Sequence, residues 1–287
     1  MERSTSTVGR LVDLIKETSS SLPEDVLAAI ARARRKEAKG SSAAVVLQTM
    51  LDNCALAQRQ GTPLCQDTGT LAFYVDERLR RRVSPAVLKK AVAQATARGY
   101  LRKNTIDAVT GRSYDDNCAE GAPVVHYVTC AGARPTVTLI MKGGGSENMS
   151  RQYSLPDAAL GAGRDLAGVR RCVLDAVQKI QGYGCAPGIL GVCIGGDRAT
   201  GFEVAKEQLL RPLDANEELG IRNDELRKLE KRILKEANSL GIGPMGLGGK
   251  TTLLGVKIAS RPRVPASFFV TIAYMCWACR RRTTCVE

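Results

Sequence analysis

The chain has 287 residues, 44% hydrophobic and 25% charged, with a formal net charge of +13. That balance excludes a disordered chain, and no run approaches the roughly 18 apolar residues of a membrane span, so no membrane partner is expected. The basic residues lie in scattered runs (Arg32–Lys36, Arg78–Arg82, Arg170–Arg171, Arg280–Arg282) and only 4% of residues are aromatic, so nucleic acid is not the expected partner and an acidic substrate or subunit fits the charge better.

Apolar residues at Val8, Leu11, Val12, Leu14 and Ile15 keep a helical period and predict a helix over Val8–Ser20. The N-terminal stretch has no apolar signal core, so a cytoplasmic location is expected. Ser21-Leu-Pro-Glu-Asp opens a second helix to about Arg35, with Pro23 near its first turn. A third runs from about Ser41 to Gln60, where Gly61 and Pro63 stop it. Leu71–Val75 reads as a strand, and Ser84-Pro85 opens a fourth helix that ends near Gly99. Pro123–Cys130 and Thr136–Met141 are rich in Val, Thr and Ile, and the polar Ala131–Pro135 between them predicts a β-hairpin. A helix over about Gly168–Gln181 and a buried strand Ile189–Ile194 follow. Ala215–Leu240 predicts the longest amphipathic helix, laced with Glu–Lys and Glu–Arg neighbours. Thr252–Ile258 and Phe268–Tyr274 are the last strands, and no internal repeat is present. The expected fold class is α+β, with mixed or antiparallel sheets surrounded by helices and glycine-rich loops converging on one site. It forms a single domain over 1–287, helical over about 1–100 and sheet-rich over about 101–287.

Ten cysteines are many for a reducing compartment. A disulfide scaffold does not suit a chain this long and rich in core residues. Structural zinc favours paired CxxC motifs, and only Cys276-Trp-Ala-Cys279 has that spacing, while His126 is the single histidine. Three cysteines have surroundings that packing does not require. Cys65 lies in Pro63-Leu-Cys-Gln-Asp-Thr-Gly-Thr70, Cys185 in Gly182-Tyr-Gly-Cys-Ala-Pro-Gly188, and Cys276 in Tyr274-Met-Cys-Trp-Ala-Cys-Arg280. Three thiolates from distant points can hold an iron–sulfur cluster and leave one iron without a protein ligand. An open iron is a Lewis acid, which points to catalysis more than electron transfer.

Glycine is concentrated in four loops. Lys142-Gly-Gly-Gly-Ser-Glu-Asn148 follows a strand directly, and its backbone N–H groups can approach an anion without side-chain clash. Gly182–Gly188, Gly191–Gly196 and Gly241–Gly249 repeat the composition, which favours a ligand or cofactor cradle over simple turns. A nucleotide phosphate loop is excluded. Its first glycine should fall five residues before Gly249, where Pro244 stands.

Taken in order, PLCQDTGT, KGGGSENMS, CAPGILGVCIGGD, GIGPMGLGGKTTLLGVKI and YMCWACRR resemble the iron–sulfur hydro-lyases of the class I fumarase and L-tartrate dehydratase type, over roughly Val8 to Arg282. The chain resembles the α subunit, or N-terminal half, of that family. The resemblance implies that Cys65, Cys185 and Cys276 ligate a 4Fe-4S cluster, the motif placing the ligand directly before Trp-Ala and so selecting Cys276 over Cys279. It also implies that Gln66, Asp67, Arg102, Gly145 and Asn148 contact substrate or support catalysis, with Asp67 the catalytic candidate. A separate β subunit is implied as partner. The implied reaction is reversible hydration of a small dicarboxylate, fumarate to malate first and tartrate dehydration second. The rival from another class is a non-catalytic, redox-sensing protein that keeps the cluster. Two departures stand out. Val264 occupies the place before Pro265 where many members carry a histidine, and a segment that often reads NTGDNAP is Asn117-Cys-Ala-Glu-Gly-Ala-Pro123 here. Both bear on the acid/base arrangement, the substrate or the activity itself.

Overall fold

A computed structural model describes residues 6–214 and 224–286. The chain divides into two compact units, each assembled from segments distant in sequence.

The first unit comprises Met1–Pro23, Asp52–Gly144 and Ala278–Glu287. Its centre is a four-stranded sheet of β1 (Thr70–Asp76), β4 (Val124–Val128), β5 (Thr136–Lys142) and β10 (Arg280–Cys285), in the order β10-β5-β1-β4. Period-two alternation decides which face is covered. Leu71, Phe73 and Val75 of β1 and Val137, Leu139 and Met141 of β5 join one apolar cluster with Leu11, Val12, Leu14 and Ile15 of α1 (Thr7–Ser20) and Leu88, Ala91, Val92 and Ala95 of α4 (Pro85–Ala97). The helices start where the chain supplies caps. The Ser6 and Ser84 side chains accept from the N–H of Gly9 and Val87, and Pro85 sits in the first turn of α4. His126 of β4 stacks on Tyr74 of β1 at 4.8 Å, a packing role in accord with its place in a strand.

The predicted hairpin of Pro123–Cys130 with Thr136–Met141 does not form. β1 lies between the two, parallel to β4 and antiparallel to β5. Most of β1 is buried and requires a partner on each edge, and residues 129–135 are long enough to cross the two strand spacings, about 9.5 Å, that this needs. A separate small ladder, β2 (Thr105–Ile106) with β3 (Ser113–Tyr114), belongs to the same unit.

The second unit comprises Glu24–Leu51 and Gly145–Trp277. Its sheet runs β6-β9-β7-β8, from β6 (Arg151–Ser154), β7 (Gly188–Gly195), β8 (Leu253–Arg261) and β9 (Phe269–Met275). Every residue of β7 is buried, as expected for a strand flanked by β8 in parallel and β9 antiparallel and covered on both faces. Leu190, Val192 and Ile194 face α6 (Leu166–Ile180) and α8 (Asp224–Ser239). On the opposite face Gly191 lets α7 (Arg198–Gln208) approach so closely that an added methyl group would strike the Ala205 carbonyl. In α6 the buried Val169, Cys172, Val173, Ala176, Val177 and Ile180 keep the spacing of one helix face. α2 (Glu24–Lys36) packs on β8, and α3 (Ser42–Gln60) crosses from one unit into the other. The part of the predicted Ala215–Leu240 helix over 215–223 lies outside the described residues, and α3, with 19 residues, is the longest helix among those described. The α+β class with sheets flanked by helices is what the chain adopts.

Candidate functional site

In the first unit the predicted residues gather around Asp67. Its carboxylate accepts from the Gly69 N–H at 2.8 Å and Asn104 Nδ2 at 2.7 Å on one oxygen, and from the Gly144 N–H at 2.7 Å on the other. The glycine run makes this possible. A Cβ on Gly143 would come within 2.8 Å of Asp67 Oδ2, and one on Gly69, which holds φ +74°, would come within 2.7 Å of Gly143 N. Three donors on one carboxylate fix its orientation.

Arg102 sits beside this loop with its backbone pinned. Thr68 Oγ1 accepts from the Arg102 N–H and donates to the Arg102 carbonyl, both at 2.9 Å. The Arg102 guanidinium is exposed and makes no hydrogen bond or ion pair with any other described residue. Gln66 is likewise exposed with its amide free among the described residues. A fixed backbone under a free guanidinium is the arrangement a carboxylate clamp needs. Asp67, Asn104, Asn117, Pro123 and Gly144 line a cavity of about 350 Å³ in this unit.

Sequence reasoning missed Arg280. Its side chain is 1% exposed, and Nη2 donates to the Asp67 carbonyl at 2.8 Å. Nε and Nη1 are buried with no hydrogen-bond partner among the described residues. A buried cation left partly unsatisfied is costly unless negative charge is brought near it.

In the second unit the Cys185 loop wraps the ring of Tyr274, which is 2% exposed. Cβ atoms on Gly184 or Gly188 would enter the ring itself. Burial pushes the Tyr274 hydroxyl well above the usual phenol range, with any negative charge on Cys276 and Cys185 adding to the shift. The Trp277 N–H donates to the Cys185 carbonyl at 3.3 Å, so Cys185 and Cys276 lie on neighbouring strands of backbone. The Cys276 N–H donates to Ser146 Oγ at 3.1 Å, which ties the glycine-rich α5 (Gly144–Asn148) to the same place. Gly145 is exposed with open space around it, and Asn148 is exposed with its amide free among the described residues. Val264 is 65% exposed in a segment whose carbonyls accept from Arg263 and Arg164.

The cysteines sort by accessibility. Cys54, Cys172, Cys193 and Cys279 are buried, whereas Cys65 and Cys276 are half-buried and Cys185 is exposed. Burial pushes the thiols of Cys54 and Cys193 up to about 11 and that of Cys172 up to about 12, which makes them poor thiolate ligands. Among the described residues no group of three or more His, Cys, Asp and Glu side chains is placed to hold a single metal ion. A cubane differs in its demand, because each thiolate would bind a different iron and the three sulfurs need not meet at one point. The chemistry of the donors suits such a group: Cys65, Cys185 and Cys276 are accessible thiols outside any disulfide. In the first unit the Cys65 loop is backed by the under-satisfied cation of Arg280.

The family described as fumarate hydratase (Fumerase) matches residues 9–285. The chain is 48% identical to a putative fumarate hydratase class I of Geobacillus stearothermophilus, over 94% of this chain and 53% of that one. It is 31% identical to a putative L(+)-tartrate dehydratase subunit alpha of Methanocaldococcus jannaschii, covering 94% of each. It is 29% identical to the L(+)-tartrate dehydratase subunit alpha of Escherichia coli K12, over 94% of this chain and 87% of that one. The chain thus spans about half the length of the first relative and most of the length of the other two. No described helix is long and apolar enough to cross a membrane.

Proposed function

We propose that this chain, which belongs to the fumarate hydratase (Fumerase) family, is the cofactor-bearing part of a hydro-lyase that reversibly hydrates a small dicarboxylate, with fumarate and malate as the favoured pair. The observation that carries this reading is the Asp67 carboxylate, held by three donors in the same unit as an Arg102 guanidinium and a Gln66 amide that are free among the described residues. In this reading residues 1–287 form one α-type domain, and Cys65, Cys185 and Cys276 supply three thiolates to a 4Fe-4S cluster. When bound, the cluster supplies a Lewis acid that makes hydroxide a better leaving group.

The chain's own residues do the rest. Arg102 grips one substrate carboxylate through two parallel hydrogen bonds, which fixes the carbon skeleton. Gln66 donates its amide to the same substrate, and Gly145 leaves room for backbone approach beside Asn148. Asp67, an acceptor held in one orientation, takes the proton from the carbon next to the departing hydroxyl in this reading. A group on a separate β-type subunit is the alternative base, and the "subunit alpha" in the names of two relatives supports such a partner.

Tartrate dehydration is the second reading, favoured by those same names, while the 48% relative favours fumarate. The test is anaerobic reconstitution of the chain with iron and sulfide, addition of a β-type subunit, and assay with fumarate, malate and L-tartrate. Turnover of fumarate and malate supports the proposal, and turnover of tartrate alone selects the second reading. A full cluster without turnover of any dicarboxylate would make the chain the non-catalytic cluster protein.

A further inference from the structure

Of the three donors that hold Asp67, two are backbone N–H groups, from Gly69 and Gly144, and the third is the side-chain amide of Asn104. Asn104 is exposed, so packing does not hold it. A buried neighbour does. Asn117 is 1% exposed at φ +59°, a conformation that asparagine tolerates better than most residues. Its Oδ1 accepts from the N–H groups of Asn104 at 2.9 Å and Thr105 at 3.1 Å. Its Nδ2 donates to Thr96 Oγ1 at 3.0 Å and to the Arg102 carbonyl at 2.9 Å. All four hydrogen-bonding positions of that amide are filled, which makes it a fixed peg for residues 102–105. Thr68 holds the same stretch from the Asp67 side.

We propose that Asn104 is a positioning residue for the reaction: its side-chain amide, set in place by Asn117, aims the Asp67 carboxylate into the cavity that all three residues line. The inference rests on the hydro-lyase reading of Asp67. Without Asn104, the Oδ1 oxygen keeps one donor and the carboxylate gains freedom to turn about its last bond. A reacting group displaced by about 1 Å loses on the order of 100-fold in rate.

The test uses the full chain, reconstituted with iron and sulfide and supplied with its β-type subunit. Asn104→Ala is expected to lower kcat by about 10- to 100-fold with KM and melting temperature nearly unchanged. Asn104→Asp, which sets a second carboxylate against the first, is expected to be slower still. In an Asp67→Asn background, Asn104→Ala is expected to add no further loss, because its only route to the reaction is gone. Losses that add, or that follow the melting temperature, would overturn the proposal. A second readout needs no activity. In the isolated ¹⁵N-labelled chain the Gly69 and Gly144 amide resonances are expected to move in Asn104→Ala, and unchanged resonances would overturn it. A wild type inert toward every dicarboxylate would end the hydro-lyase reading, and the amide resonances would still decide whether Asn104 orients Asp67.

Discussion

Gly184 has no positive φ, so its requirement for glycine is one of space. A Cβ there would stand 2.7 Å from Tyr274 Cζ and 3.0 Å from Cδ1, and closer still to Cε1. Optimal carbon–carbon contact is about 3.5–4.0 Å, so even the 2.7 Å approach is roughly 0.8 Å inside contact. The ring has no exit, because Tyr274 is 2% exposed and its strand is hydrogen-bonded to β7. Overpacking of this kind costs about 1–3 kcal/mol. In a unit of this size each kcal/mol lowers the melting temperature by about 2–4 °C. Gly184→Ala is therefore expected to melt about 2–12 °C below the wild type, measured by circular dichroism on the cluster-free chain. The loop must also swing away from the ring, so the exposed Cys185 should change its rate of reaction with a thiol reagent. A melting temperature and Cys185 reactivity both equal to those of the wild type would refute the argument, showing that the loop does not rest on the ring.

Arg102→Lys keeps the charge but loses the planar fork. The loss of one charge-assisted contact, roughly 1.5–3 kcal/mol, predicts a fall in kcat/KM of about 10- to 150-fold at full cluster content; wild-type kinetics would return Arg102 to the surface. The Arg78 guanidinium beside Asp76 holds that carboxyl well below the usual range. A folded pKa below the unfolded one stabilises the protein above about pH 3.9 and loses that effect as pH falls through the folded value. Asp76→Asn should thus melt lower than the wild type at pH 7, with the gap closing below about pH 4; a gap that widened in acid would contradict the assignment. Burial lifts the thiols of Cys54, Cys172 and Cys193 up to about 11, 12 and 11, so in native protein at pH 8 iodoacetamide should spare them while modifying Cys185 and Cys285, as mass spectrometry of the digest would read.

What could be read in the sequence was what periodicity and helix-start signals write. α1, α4 and α6 bury one face; apolar spacing located α1, and the Ser84-Pro85 start located α4. α7, Arg198–Gln208, buries Gly201, Val204, Ala205 and Gln208, a face with little apolar signal, because Gly201 meets the Thr271 side chain and the Ala205 carbonyl lies over Gly191. β10 reads Arg-Arg-Arg-Thr-Thr-Cys and gives no apolar signal, since it is an edge strand whose residues after the buried Arg280 are partly or fully exposed. The false hairpin arose because the apolar runs over 123–130 and 136–141 fit strands whether they pair with each other or with β1, and only the need to cover both edges of β1 decides. At the site, Cys65, Gln66 and Asp67 stood in one recognisable motif, and Arg102 was implied by the family resemblance. Asn104 and Asn117 did not stand out, because a polar residue in a loop shows its role only through the atoms it meets. The one available signal was that Asn117 opens a segment already singled out for departing from the family pattern.

The central claim is that three thiolates, and not the other seven, hold a four-iron cluster. It is tested most directly by iron and sulfide content after anaerobic reconstitution, with the electronic spectrum of the loaded protein alongside. Wild type should hold about four of each per chain. Serine at Cys65, Cys185 or Cys276 should abolish loading, whereas alanine at Cys54, Cys118, Cys130, Cys172, Cys193, Cys279 or Cys285 should leave it intact in every variant that folds. Loading that survives Cys276→Ser and fails in Cys279→Ala, or a folded wild type that takes up no cluster, would contradict the account.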